Sequence, residues 1–328
     1  MVASSFLLAL SSQRGENDME PWPKIPEDVV TWFRTTFGEA NRRVCERLVN
    51  VPNIRETSLD DGLIEALIPD SAPRLLPSGA IVRMDTHNIG GLRRLGAPHW
   101  DWDFPQRRRW ETADIAILVF VYRRDTLIAK KIGLLQSKRL FPTNQDVDDE
   151  DEIGFLHGMN AFIRRDGHQA AAALHRTYRF DETCAYSAIH AGDRQVELID
   201  ALNRDFGKGV YYLLYTPPEL PFSVDYPLRQ RIRVEDMPVG NRVMDADDVH
   251  RVLAALGDGQ SPTFAQLQAG SGARNWPLET WASDLLLTCQ VGQQFDDSTD
   301  DRVRYFLERR SGPIGAALAA SITLSEEA

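Results

Sequence analysis

Cysteine is scarce in this chain: Cys45, Cys184 and Cys289 are the only three in 328 residues. They are odd in number and widely spaced, with no CxxC pair. That excludes a disulfide framework and a cysteine-built structural zinc site, and a reducing cytoplasm is the expected location. The seven histidines show no HExxH spacing; His168 and His175 lie in an alanine-rich stretch and read as one face of a helix. No apolar run approaches the ~20 residues that a membrane-spanning helix requires, so no membrane partner is expected. The opening MVASSFLLALSSQ has an apolar stretch with no basic residue before it, which makes a poor signal peptide. Met19 is a second candidate start, and residues 1–26 are read as a disordered extension. No internal repeat is found. A phosphate-binding GxxxxGK(S/T) loop is also lacking; RRSGPIG near the C-terminus reads as a turn with an arginine pair.

Basic charge is in deficit. The formal net charge of −11 counts against a broad, nonspecific nucleic-acid surface. Local basic groups remain, at Arg107-Arg108-Arg109, Lys130-Lys131 and Lys138-Arg139. The acidic run at residues 146–152 reads as a solvated loop. Lys130 and Lys131 are consecutive on one predicted strand, so at least one of them is expected to face solvent.

Several amphipathic patterns are present. PEDVVTWFRTTFGEANRRVCERLVN places Val30, Phe33, Phe37, Val44 and Leu48 at helical spacing. A second helix follows in NIRETSLDDGLIEALIPD, with Ser58 and Asp61 as a capping-box start and Pro69 beyond its end. A short strand is expected around residues 80–84. Two apolar arms, at residues 113–122 and 127–135, flank the break RRDT and predict a β-hairpin. Their near-continuous apolar character predicts a central pair, covered on both faces. Residues 153–206 read mainly helical, with Ile189, Val196, Ile199 and Leu202 on a common side, and GVYYLLYTP reads as another buried strand. The order αβββαβ predicts a mixed α/β sheet whose last strand is reached by a helical crossover. This core spans residues 27–227. Residues 228–328 read as a mainly helical C-terminal region that either forms a separate unit or completes the core, with a β-prone tail. Trp276 and Trp281 read as core or interface aromatics.

Hairpin arithmetic carries the functional reading. Facing residues in an antiparallel pair have a constant position sum, and a turn at Arg124-Asp125 sets that sum at about 249 or 250. Asp114 then lies opposite Leu135 or Gln136. Gln136 and Lys138 leave the same strand face, and at a sum of 250 Asp114 joins them. An aspartate, an amide oxygen and an ammonium in one cluster suit a hard, hydrated cation such as Mg2+ or Mn2+. A bound cation polarises a phosphate and lowers the pKa of an attacking water. Taken singly, each of these residues also fits a strand end where burial stops.

The stretch ETADIAIL…LLQSK resembles the PD-(D/E)XK, restriction-endonuclease-like nuclease superfamily, in the variant with glutamine before x-K. The resemblance covers roughly residues 28–218 and rests on few positions. It implies a Mg2+- or Mn2+-dependent endonuclease acting on DNA, with RNA as the lesser expectation. The setting it implies is prokaryotic anti-phage defence or restriction, with a homo-oligomer or a protein partner in a defence complex. Asp114 and Gln136 would hold the ion, and Lys138 would assist attack. The superfamily often adds a glutamate from the first core helix. Glu56 is the choice here, Glu65 the runner-up and Glu111 a further candidate, although an acid at a helix start also follows from the helix dipole. Lys138, Arg139, Arg107 and Arg108 would contact nucleic acid. Gln136 removes one negative charge from the usual set, which leaves a catalytically inactive, nuclease-like binding module as the alternative.

Overall fold

The structure is a computed structural model that describes residues 21–88, 113–143, 176–226, 228–235, 237–272, 274–295 and 314–325. Glu111, Arg107–Arg109, His168, His175 and the acidic run at 146–152 lie outside the described residues, as does most of the proposed N-terminal extension.

A mixed central sheet forms the body of the protein. Helix α1 (Glu27–Asn50) buries Val30, Phe33, Phe37, Val44 and Leu48, as their spacing requires. Helix α2 (Glu56–Leu67) begins at Glu56 with Arg55 as its N-cap and no capping side chain. The start is therefore earlier than the Ser58–Asp61 box implied, and Glu56 occupies the first helical turn. Strands β1 (Arg74–Leu75) and β2 (Ile81–Asn88) follow. Then come β3 (Ala113–Arg123) and β4 (Thr126–Arg139), the two arms of the expected hairpin. Its turn is Arg124-Asp125, with Arg124 at a positive φ of 54°. Next in the chain are β5 (Arg176–Phe180), α3 (Arg194–Phe206), β6 (Val210–Tyr215) and β7 (Phe222–Tyr226). Residues 153–206, expected to be mainly helical, are less so: of those described, 176–180 form β5 and the helix begins only at Arg194. Gly192, at φ 80°, turns the chain, and the Asp193 carboxylate caps the first turn by accepting from the Gln195 N–H. β6 pairs parallel with β4, and α3 lies between them in sequence, as a crossover demands.

The largest difference from expectation lies at the C-terminus. Residues beyond 228 include helices α4 (Ala246–Ala254) and α5 (Phe264–Gly270), and a helical segment running from Leu278 through a π-turn to Leu286. They also contribute β8 (Arg242–Asp245), β9 (Asn275–Pro277), β10 (Gln293–Gln294) and β11 (Ile314–Leu324), all in the central sheet, so this region is not mainly helical. The order across the sheet is β1-β2-β11-β3-β4-β6-β8-β9, with β10 against β4. β11 is inserted between β2 and β3, antiparallel to the first and parallel to the second. Its small residues allow the close fit: a Cβ on Gly315 would sit 2.9 Å from the backbone oxygen of Asp114. The last strand thus braces the strand that carries the key aspartate.

Side chains divide between two apolar layers with the period of two that a sheet imposes. Leu135, Tyr211, Leu213 and Tyr215 pack with α1, α2 and the 278–286 segment. Leu134, Tyr212 and Leu214 pack on the other face with α3, α4 and α5. Trp281 is fully buried in the first layer, as a core aromatic. Lys130 and Lys131 are both buried, contrary to the expectation that one faces water. β10 pairs against Lys131 and Ile132, and the two amines lie over aromatic rings, Lys130 above Phe295 and Lys131 above Trp22.

Gly133 makes the notch that admits Trp281. A Cβ there would meet the indole at 2.8 Å and Leu286 at 3.0 Å. Overpacking of this kind costs about 1–3 kcal/mol, so Gly133→Val should lower the midpoint of urea unfolding with little change in slope. A midpoint equal to that of the wild type would refute the close packing of the 278–286 segment on β4.

Candidate active site

The register settles the hairpin arithmetic. Ile115 faces Leu135 and Ala116 faces Leu134, a sum of 250, with an irregularity only between Val121 and Tyr122 near the turn. Asp114 and Gln136 are therefore neighbours, and the Gln136 amide donates from Nε2 to Asp114 Oδ2 at 2.5 Å. The same oxygen accepts the Ser137 backbone N–H at 2.6 Å. Both donors come from β4, so Asp114 is clamped to the partner strand.

Helix α2 brings its N-terminal turn to the same end of the sheet. Glu56 Oε2 accepts the Arg139 backbone N–H at 2.9 Å, and Lys138 Nζ lies 3.6 Å from Glu56 Oε1. One turn further on, Asp60 Oδ1 accepts from Ser137 Oγ at 2.5 Å and from the Tyr215 hydroxyl at 2.6 Å. Residues i and i+4 of a helix share a face, so Glu56 and Asp60 approach β4 together. Asp114, Gln136, Lys138 and Glu56 are thus brought together as the sequence predicted. Asp60, Ser137 and Tyr215 were not foreseen. The four-residue spacing from Glu56 to Asp60 was the available signal, obscured by assigning the helix start to Ser58.

Two expectations are corrected. Glu65 lies on the outer surface of α2, with its side chain 68% exposed and 3.4 Å from Arg47, so it cannot be the helical ligand. Arg139 is buried and turned inward. Its guanidinium donates to the carbonyls of Ile54 and Pro52 and stacks 4.3 Å above the Phe141 ring. These bonds hold the loop between α1 and α2, which makes Arg139 a structural residue and not a nucleic-acid contact. Lys138 is also buried, but its amine faces the acids.

Burial dominates the electrostatics. It pushes the carboxyl of Asp114 well above the ordinary range, and repulsion from Asp60 adds to it. Burial likewise carries Asp60 up to about 7, against the opposing hydrogen bonds from Ser137 and Tyr215. Glu56 is raised by burial, while Lys138 pulls it back. Three carboxyls thus converge with Lys138, in a place where ionising all of them is costly.

An excess of buried oxygen donors suits a hard cation. Gln136 Oε1 is buried and has no hydrogen-bond partner, because the amide nitrogen is turned to Asp114. An orphaned carbonyl oxygen beside carboxylates can serve as an ion ligand. Among the described residues no three His, Cys, Asp or Glu side chains already form a metal-holding group.

The raised carboxyls make a signed prediction for the metal-free protein. A carboxyl with its folded pKa above its unfolded value favours the fold at low pH. That contribution is lost as pH rises from about 4 to about 7 for Asp60. Asp60→Asn retains an oxygen that can accept from Ser137 and Tyr215 and removes the penalty. It should raise the melting temperature at pH 8, with the gain shrinking to nothing near pH 4. A lower melting temperature for Asp60→Asn at pH 8 would contradict the electrostatic reading. Comparison of the chain with known protein families, curated proteins and solved structures finds no match.

Proposed function

We propose that this chain is a metal-dependent phosphodiester hydrolase, an endonuclease of the PD-(D/E)XK kind acting on DNA in preference to RNA. One observation carries the reading. Asp114, Gln136 and Lys138 meet Glu56 and Asp60 at one end of the β3–β4 hairpin, with a buried amide oxygen left without a partner. Asp114 and Gln136 Oε1 would hold the ion, with Glu56 the helical ligand. The ion, when bound, supplies Lewis-acid polarisation of a phosphate and an acidified water.

The chain's own groups do the remaining work. The Gln136 and Ser137 donors fix the Asp114 carboxylate on one oxygen. The hydroxyls of Ser137 and Tyr215 fix Asp60. Lys138, whose amine lies 3.6 Å from Glu56 Oε1, would orient the attacking water or offset charge on the phosphoryl oxygens. A prokaryotic defence or restriction setting belongs to the same proposal and rests on the resemblance of the motif.

A second reading is a nuclease-like module that binds nucleic acid or a protein partner without cutting. It is favoured by Gln136, a neutral amide at the position where the usual set has an acid, and by the net charge of −11.

Cleavage of duplex and single-stranded DNA and of RNA, with Mg2+ or Mn2+, separates the two. The hydrolase reading expects cleavage that requires Mg2+ or Mn2+ and stops when EDTA removes the ion. Lys138→Ala should reduce the rate by on the order of 100-fold or more. Asp114→Asn should abolish both cleavage and the thermal stabilisation by Mn2+. Failure of the wild type to cleave or to be stabilised by either metal would leave only the binding module.

A further inference from the structure

Between β7 and β8, residues 228–235 form a strap without regular secondary structure that bends at Arg229 and Gln230 and lies along the C-terminal end of α1. Its side chains alternate. Ile232 and Val234 face inward, against Cys45 and Val49 of α1, and Val234 is 5% exposed. Arg231, Arg233 and Glu235 alternate with them and are exposed, and Arg229 and Gln230 are exposed at the bend that precedes them. The strap is pinned in place. Asn50, the last residue of α1, exchanges two 2.8 Å hydrogen bonds with the backbone of Ile232, and Glu46 accepts the Val234 N–H at 3.2 Å. Further along, the Val239 and Gly240 amides donate to Pro218 and Pro217, just beyond Tyr215. Both anchors border the segments that build the site: the loop of Pro52 and Ile54 that leads to Glu56, and the end of β6 that carries Tyr215.

The inward residues account for the strap's packing, and the arginines add nothing to it. Arg231 makes an exposed contact with Glu46 at 3.2 Å, a pair of little energetic weight. Arg229 and Arg233 have no ion-pair partner among the described residues. Arg55, the exposed N-cap of α2, adds a fourth guanidinium beside Glu56. Arg231 and Arg233, two apart and alternating with the inward residues, leave the same side of the strap, with Arg229 at the bend before them. Neighbouring guanidinium groups offer planar donor forks to successive anionic groups. In a chain of net charge −11, three exposed arginines on one strap, tied to the helix that leads to the Glu56 loop, make a local cationic surface. We propose that the 228–235 strap is a phosphate rail, holding the nucleic-acid backbone outside the scissile bond through Arg229, Arg231 and Arg233. The proposal rests on the hydrolase reading for its substrate, and the phosphodiester backbone is the chemistry shared by DNA and RNA.

The test is the salt dependence of binding. Labelled duplex DNA, single-stranded DNA and RNA are titrated with the full chain, with Ca2+ in place of Mg2+, for the wild type, Arg229→Ala/Arg233→Ala and Arg229→Lys/Arg233→Lys. Each neutralised phosphate contributes about 0.9 to the slope of log K against log salt for duplex DNA and about 0.7 for single strands. The alanine pair should flatten the duplex slope by about 1.8 and the single-strand slope by about 1.4. The lysine pair should keep the wild-type slope, which separates charge from any loss of fold. With Mg2+ and saturating DNA, the alanine pair should raise KM and leave kcat near wild type. The nucleic acid that shows the full change in slope identifies the natural backbone. A wild-type slope in the alanine pair, or no binding of any nucleic acid by the wild type, overturns the rail. If the wild type binds but never cleaves, and the alanine pair still loses the slope, the rail stands and the hydrolase reading falls.

Discussion

Three carboxyls, one buried and two half-buried, set against a buried ammonium are the constraint around which the sheet end is built. Glu56, Asp60 and Asp114 converge where water is largely excluded, and burial raises all three. Leaving a charge in such a place costs several kcal/mol per ion unless it is paired and hydrogen-bonded. Local donors meet part of that need: the Ser137 amide and Gln136 for Asp114, two hydroxyls for Asp60, and the Arg139 amide and Lys138 for Glu56. Nearly every one of these donors comes from the last four residues of β4. The strand that delivers the lysine therefore also holds the acids apart and in register. A fold that only needed stability would place apolar residues here. Under the proposed function, a bound cation would offset the repulsion among these acids.

The scaffold answers with rigidity on both sides of β3 and β4. β11 lies against β3 so closely that Gly315 has no room for a side chain beside Asp114. β6 runs parallel to β4 and ends at Tyr215, whose hydroxyl reaches Asp60. Arg139 is turned inward and clamps the α1–α2 loop through two carbonyls, which fixes where α2 begins and hence where Glu56 stands. Each acid is thus positioned by an element other than its own. Helix α2 alone, with only a backbone N-cap at Arg55, would leave its first turn free to fray.

The parts of this arrangement that follow local rules were legible in the sequence. A two-residue turn and a period of two narrow the partner of Asp114 to Leu135 or Gln136. The turn end pairs at a sum of 249. The register shift between Val121 and Tyr122, which the sequence did not announce, moves the rest to 250 and sets Asp114 opposite Gln136. The apolar spacing of α1 and the buried run of β6 were legible for the same reason. What depended on distant pairing was not. Nothing in IGAALAASITL says that it will separate β2 from β3; only the smallness of its residues is compatible with a crowded central strand. Lys130 and Lys131 read as evidence of a wet face, yet β10 and two aromatic rings arrive from far along the chain to cover them. Asp60 was missed for a smaller reason. A helix start misplaced by two residues hid the fact that Glu56 and Asp60 share a face.

An acidic protein that handles a polyanion must confine its positive charge to where the polymer touches. The buried cations of β4 cannot do this: Arg139 is committed to carbonyls and Lys138 to Glu56. Exposed guanidinium groups on the 228–235 strap are better suited, because their anchoring residues face the other way and do not restrict them. The division of labour follows from screening. A charge in the low-dielectric site acts strongly on the groups nearest it, whereas a charge on the exposed rail acts over roughly 8–10 Å before salt quenches it. On the proposed reading, the rail would set how tightly the polymer is held without altering the balance among Glu56, Asp60, Asp114 and Lys138. Changes on the strap should then appear in affinity and its salt dependence, and changes in the cluster in the rate.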